Sequence, residues 1–224
     1  MKRSDINRLQ REAVIFFKEQ NFELPKWAFW SRETWLANHD AVTEIIEKKL
    51  GWDVTDFGLG NFEKQGLLLF TIRNGKYGSN DPKTYAEKIM IVAEGQVTPW
   101  HFHWKKTEDI INRAGGNLII ELCNATNEEQ LADTLVEVQM DGITHTFKPK
   151  QKITLEPGES ITLPPYLYHT FYGEAGKGPV LVGEVSSVNE DDKDNRFLQN
   201  LGRFPKIEED EPLLYFLCNE YPVW

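Results

Sequence analysis

Gly95-Gln96-Val97-Thr98-Pro99-Trp100-His101-Phe102-His103-Trp104-Lys105-Lys106-Thr107-Glu108 is the stretch on which the reading of this chain turns, with Gly115 following after six residues. On a strand, His101 and His103 lie on one side because side chains alternate with period two. Glu108 follows after a short turn, so two imidazoles and a carboxylate can converge on one point, and these are good ligands for a divalent metal. A metal site is therefore the first expectation, against the plainer reading of a lone His-x-His as packed or surface histidines.

Working outward, 224 residues are enough to bury a full core, and a β-barrel of this length can be one domain. We expect a single domain over 1–224, with a helical and aromatic arm in 1–50, a barrel core in 60–188, and a loop and tail in 189–224. Charged residues make up 27% and hydrophobic residues 40%, and no apolar run approaches the roughly 20 residues that span a membrane. Met1-Lys2-Arg3-Ser4-Asp5 leads into an amphipathic pattern rather than the apolar core of a signal peptide. Cys123 and Cys218 sit far apart among apolar residues, which reads as buried free thiols and points to the cytoplasm. A net charge of −10 and a pI near 5.1 repel phosphate backbones, and no basic cluster offers a nucleic-acid footprint.

Ser4 can cap a helix carrying Ile6, Leu9, Ala13, Phe16 and Phe17 at helical spacing, ended by Phe22-Glu23-Leu24-Pro25. Trp27, Phe29, Trp30 and Trp35 read as a clamp fastening this arm to the main body, rather than as a sugar-stacking platform. Asp40 to Leu50 carries a second helical pattern stopped by Gly51. The period then changes to two. Gly66–Arg73, Tyr85–Val92, Val97–Trp104, Asn117–Cys123, Val136–Met140, Thr144–Phe147, Lys152–Leu155, Ser160–Leu163, His169–Tyr172 and Val180–Val185 read as short strands, with Asp141-Gly142 as a two-residue hairpin turn. Many short strands without helical crossovers predict an all-β core, an antiparallel sandwich or jelly-roll barrel. Asn189–Asn195 reads as a polar loop, and Asp210–Trp224 as a tail whose Leu213, Leu214, Phe216 and Leu217 need a partner surface.

The spacing Gly95, His101, His103, Glu108, Gly115 is similar to the first cupin motif. Pro157-Gly158-Glu159-Ser160-Ile161-Thr162-Leu163-Pro164-Pro165-Tyr166-Leu167-Tyr168-His169 resembles the second, with Tyr166 where that motif has its second glycine. The resemblance implies a cupin double-stranded β-helix and a ligand set of His101, His103, Glu108 and His169. Imidazole and carboxylate suit Mn²⁺, Fe²⁺, Co²⁺ or Zn²⁺, and four protein ligands leave open positions on an octahedral ion.

A longer resemblance rests on Gly51–Gly58, Leu67–Gly75, Ala86-Glu87-Lys88, Val97-Thr98-Pro99, Glu108–Arg113, Val182–Ser186 and Asp194-Asn195-Arg196-Phe197. These stretches resemble the bacterial D-lyxose ketol-isomerase family across nearly the whole chain. Membership implies interconversion of D-lyxose and D-xylulose, with D-mannose and D-fructose as further substrates, using Mn²⁺. Such a reaction moves a proton between C1 and C2 and needs a base, a carbonyl polariser and donors for the hydroxyls.

Glu184 ends the apolar strand Val180–Val185 and is the candidate base, with a salt bridge as the alternative reading. Lys88, in an apolar strand, and Lys106 are candidates for binding substrate oxygens or enediolate charge, although Lys106 beside Lys105 reads equally as solvated. Asp194 and Arg196 are candidate substrate contacts in the polar loop. A cupin non-haem iron dioxygenase or a non-enzymatic sugar- or metal-binding cupin would use the same four ligands. A phosphosugar isomerase would need a basic phosphate clamp, and none is evident. The helical arm and aromatic termini further predict a homodimer in which they cover barrel edges.

Overall fold

The computed structural model describes residues 1–78, 80–191 and 193–222. The loop and tail readings at Asp192, Val223 and Trp224 fall outside these residues. Thirteen strands form two antiparallel sheets. The eight-stranded sheet has the order β1 (Gly51–Thr55), β2 (Leu67–Arg73), β3 (Tyr85–Val92), β12 (Val180–Ser187), β5 (Glu108–Gly115), β10 (Ser160–Leu163), β7 (Val136–Met140), β8 (Ile143–Phe147). The five-stranded sheet runs β13 (Arg196–Phe197), β4 (Thr98–Phe102), β11 (Leu167–Gly173), β6 (Leu118–Asn124), β9 (Lys152–Leu155). Nearly all the expected strands are present. Leu69, Met90, Ile110, Ile120, Leu122, Ile161, Phe171 and Val182 from the two sheets fill the space between them.

The unbroken apolar run of β2 has a physical cause. Leu67 and Leu69 face the barrel interior, while Leu68 and Phe70 face outward under α1 (Arg3–Glu19). A strand covered on both faces has no polar side to alternate. Ile6, Leu9, Ala13 and Phe17 of α1 pack on Trp52, Phe70 and Leu181, and the tail's Leu217 joins them. The aromatic clamp forms as expected, with Trp27 centred 5.0 Å from Phe70 and Trp35 4.7 Å from Tyr221. The tail supplies the partners its apolar residues need, Phe216 and Tyr221 packing with Trp35 and Val42.

Several expectations are corrected. The first helix begins at Arg3, and the amide and hydroxyl of Ser4 donate to Asp210 at 2.9 and 2.7 Å instead of capping it. The second helical pattern breaks into a 3-10 turn (His39–Ala41) and α3 (Thr43–Glu47), preceded by α2 (Arg32–Ala37) within the aromatic segment. Lys49, at φ 51°, ends that region, and Gly51 opens β1 rather than stopping a helix. Strands β1, β5 and β13 go beyond the expected set: the eight-stranded sheet begins before residue 60, and the five-stranded sheet draws a strand from the loop after 189. The arm's apolar face packs against its own chain.

Two turns depend on left-handed backbone. Asp141 and Gly142 both have positive φ, as a type I′ hairpin requires. Tyr166, standing at a motif glycine, adopts φ 61° itself, with its amide donating to the His103 carbonyl at 2.9 Å and its ring 5.2 Å from Phe102. Those contacts hold a conformation that costs a non-glycine residue about 1 kcal/mol.

Arg3 ties the two chain ends together. Its guanidinium is almost fully buried and donates to both Glu209 and Glu220. Arg3→Leu is expected to cost about 2 kcal/mol in denaturant unfolding, as charged hydrogen bonds with one buried partner do. Glu209 is 60% exposed, so Glu209→Ala should cost less than about 1 kcal/mol in the same measurement.

Candidate metal centre

Strand pairing assembles the site. His101 of β4 lies opposite His169 of β11 across the five-stranded sheet, with ring centroids 4.1 Å apart. His103 follows β4 on the same side, and Glu108 is the first residue of β5 in the facing sheet. All four are buried, and one donor atom from each lies within 4.8 Å of the others.

The hydrogen bonds fix the tautomers. Nδ1 of His101 faces the Pro99 carbonyl at 2.8 Å, Nδ1 of His103 faces the Asp194 carbonyl at 2.6 Å, and Nδ1 of His169 faces the Leu167 carbonyl at 3.0 Å. A carbonyl can only accept, so Nδ1 carries the proton in all three rings and Nε2 presents a lone pair. Nε2 of His103 and of His169 lie 3.3 and 3.1 Å from Glu108 Oε1. Both nitrogens are buried without a hydrogen-bond partner among the described residues. Converging lone pairs and a carboxylate are what a divalent cation requires, and this cluster can hold one.

Charges continue behind the cluster. Lys106 Nζ sits 2.6 Å from Glu108 Oε2 and 2.9 Å from Glu184 Oε1, and Lys88 Nζ sits 3.3 Å from the same Glu184 oxygen. Lys88 also donates to Asn189 at 2.8 Å and lies 3.3 Å from Asp191, which Arg203 approaches from the other side at 3.3 Å. Arg203 in turn pairs with Asp53. Burial pushes the Glu108 carboxyl up, but the adjoining Lys106 ammonium outweighs it and the group is held well below the usual carboxylate range. Burial pulls Lys106 down, and Glu108, Glu184 and Asp191 reverse this, leaving it firmly protonated. For His101 burial dominates and favours the neutral ring that ligation needs.

Lys88 and Lys106 are thus both buried in the cavity, and Lys106 is not the solvated partner of exposed Lys105. Glu184 is in a salt bridge and also lines the cavity, so its two readings coincide in one place. Asp194 and Arg196 are placed differently from expectation. The Asp194 carboxylate accepts the backbone amides of Lys105 and Lys106, both at 3.0 Å, and its carbonyl orients His103. Arg196 pairs with Glu129 at 2.8 Å. Period two explains this: Phe197 pairs with His101 and shares its inward face, whereas Arg196 pairs with outward Phe102. Asn195 and Phe197 line the cavity in their place.

Asp191, Asn189 and Arg203 were missed. Arg203 had a weak signal, a cation within an otherwise apolar stretch of tail; the others had none before the loop was folded. The cavity in front of the cluster measures about 50 Å³. A larger one of about 190 Å³ lies across Asn189 and Asp191, but among the described residues it gathers no comparable set of ligands.

A cupin-like β-barrel with three histidines and a glutamate at its inner end is the class that fold and site define. Comparison with known proteins narrows it. The model of the family described as D-lyxose isomerase matches residues 1–221. A D-lyxose/D-mannose isomerase of Escherichia coli O157:H7 is 54% identical over 99% of this chain and 98% of that protein, and one of Serratia proteamaculans is 52% identical over the same shares. In fold, the L-ribose isomerase of Cellulomonas parahominis superposes with a TM-score of 0.62 at 15% identity, over 93% of this chain and 98% of that one. The chain belongs to the D-lyxose isomerase family, and is an aldose–ketose isomerase.

Asp191 allows a test that does not involve the ligands. Burial pushes its carboxyl up, but Lys88, Arg203 and Lys106 outweigh this and hold it well below its ordinary 3.8. A depressed carboxyl stabilises the fold fully above its ordinary value and loses that contribution as pH falls through its folded value. In metal-free protein, Asp191→Asn should melt below wild type at neutral pH, with the gap narrowing as pH falls below about 4.

Proposed function

We propose that this chain interconverts D-lyxose and D-xylulose, and more slowly D-mannose and D-fructose, with Mn²⁺ held by His101, His103, Glu108 and His169. The observation carrying this reading is Glu184, a buried carboxylate bridged by two lysines and placed behind a cluster suited to a divalent ion. When bound, the ion supplies Lewis-acid polarisation of the sugar's carbonyl and neighbouring hydroxyl oxygens.

The protein's own residues account for the rest. The Glu184 carboxylate, held between the amines of Lys88 and Lys106, is placed to accept the C2 proton of the aldose. The C–H electron pair becomes the C1=C2 bond of an enediolate. Returning the same proton to C1, while a proton passes from O2 to O1, completes the ketose with no net gain or loss. Lys106, 2.6 Å from Glu108 and 2.9 Å from Glu184, is suited to donate to the oxygen on which charge grows. Lys88 holds Glu184 from the opposite side and binds Asn189 and Asp191 of the covering loop. Charged walls of this kind favour a polar sugar over the apolar pocket of an O₂-using cupin.

We also assign the chain to the cytoplasm, supported by two buried, unpaired thiols. As a homodimer it would pair through the open edge at β8, beside exposed Leu135 and Ile143. Sedimentation at micromolar concentration decides this last point, a monomer removing it.

The function is tested by incubating Mn²⁺-loaded protein with a panel of free and phosphorylated aldoses and measuring ketose formed. Turnover of D-lyxose is expected, and no turnover of any pentose or hexose would overturn the assignment. Glu184→Gln should retain metal and lose activity by about 10²–10⁴-fold, the usual contribution of a positioned base. Chelation should abolish turnover and lower the melting temperature, with Mn²⁺ at about 100 times its dissociation constant restoring roughly 2.7 kcal/mol of stability.

A further inference from the structure

Thr98 lies in the same cavity as His101 and His103, yet no role has fallen to it. Its side chain is buried, and its Oγ1 has no hydrogen-bond partner among the described residues. Two positions of β11 span three of β4, since His169 pairs with His101 and Phe171 with Thr98. This is a bulge at Pro99-Trp100, where proline has no amide to give to a ladder. Without it, Thr98, an odd number of residues from His101, would face the opposite side. The bulge therefore turns Thr98 into the cavity, and its Pro99 carbonyl also orients His101.

The hydroxyl does nothing for the fold. The backbone carbonyl of Thr98 is satisfied by the Thr170 hydroxyl at 2.6 Å, so only the side chain is left over. Valine would fill the same volume and avoid the roughly 1–3 kcal/mol that an unpaired buried polar group costs. Leu67, Leu69, Met90, Ile110 and Phe171, which share the cavity, offer no hydrogen bond to it. Sugars carry a hydroxyl on nearly every carbon, and each can both donate and accept.

We propose that Thr98 Oγ1 is a substrate contact that hydrogen-bonds a hydroxyl of the bound sugar. This rests on the isomerase assignment above. A site built to pair a substrate hydroxyl discriminates against analogues lacking it, because the site's own group is then stranded. Thr98 would thereby favour sugars that place a hydroxyl at that point.

The test compares wild type, Thr98→Val and Thr98→Ser, all Mn²⁺-loaded. Calorimetry measures binding of D-arabinitol, the polyol formed by reducing D-lyxose, and kinetics measures D-lyxose turnover. Thr98→Val is expected to weaken D-arabinitol binding and raise KM about tenfold, the loss of one hydrogen bond. It should keep its metal content and melt at or above the wild-type temperature, and Thr98→Ser should return binding to within about threefold of wild type. Wild-type binding and kinetics in Thr98→Val would overturn the contact, as would loss of metal from that variant. Wild-type turnover reports on the isomerase assignment separately. If wild type turns over no aldose but binds D-arabinitol, the assignment falls and the Val-to-wild-type binding ratio still decides Thr98. If wild type does neither, both fall.

Discussion

Four electron-rich groups converge at one buried point: three imidazole lone pairs and the Glu108 carboxylate. Such groups repel unless a cation joins them, and much of the barrel's architecture serves to hold them together nonetheless. Three backbone carbonyls, from Pro99, Leu167 and Asp194, each take one imidazole N–H and so aim the opposite nitrogen inward. Orientation by the outer hydrogen bond also raises the basicity of the inner nitrogen. Pro99 and Leu167 are two residues before the histidines they orient, so β4 and β11 carry their own aiming device. His103 is different, because its carbonyl comes from a loop 91 residues away.

That loop joins the centre to the rest of the chain. Asp194 spends both carboxylate oxygens on the amides of Lys105 and Lys106, which fixes the turn that delivers Lys106 to Glu108. From Lys106 an alternating series of charges runs through Glu184, Lys88, Asp191 and Arg203 to Asp53. Lys106, Glu184, Lys88 and Asp53 are buried and Asp191 and Arg203 nearly so, and each is tolerable because its neighbours carry the opposite sign. Removing any one would leave an uncompensated charge, so the series behaves as a unit. Counting Glu108, its four carboxylates outnumber its three cations, an excess that a divalent ion at the cluster would offset.

The legible parts of this molecule were those with a local cause. Period two marks most strands, and the histidine and glutamate spacing marks the cluster. What stayed hidden depended on contacts distant in sequence. Strand β5 went unread because Glu108-Asp109-Ile110-Ile111-Asn112-Arg113 alternates poorly, and its identity comes from pairing with β10 and β12. Asp194 and Arg196 were assigned to the sugar because the loop was polar, whereas the face of a residue there is set by register with β4. The second helical pattern broke because Asn38, Val42 and Lys49 leave the helical conformation as the segment bends over the Trp35 and Tyr221 cluster.

Thr98 shows why register matters more than composition at such a site. Threonine before proline in an apolar strand looks like ordinary β-branched packing, and period two would turn it away from the histidines. One extra residue between the pairs His101–His169 and Thr98–Phe171 reverses that. The same irregularity leaves the Pro99 carbonyl free of the ladder and able to hold His101. A single bulge therefore sets a ligand's tautomer and puts Thr98 on the cavity side of the strand. Straightening the strand could not keep one effect without losing the other, so the ligand geometry and the wall that meets the sugar are coupled through the backbone between them.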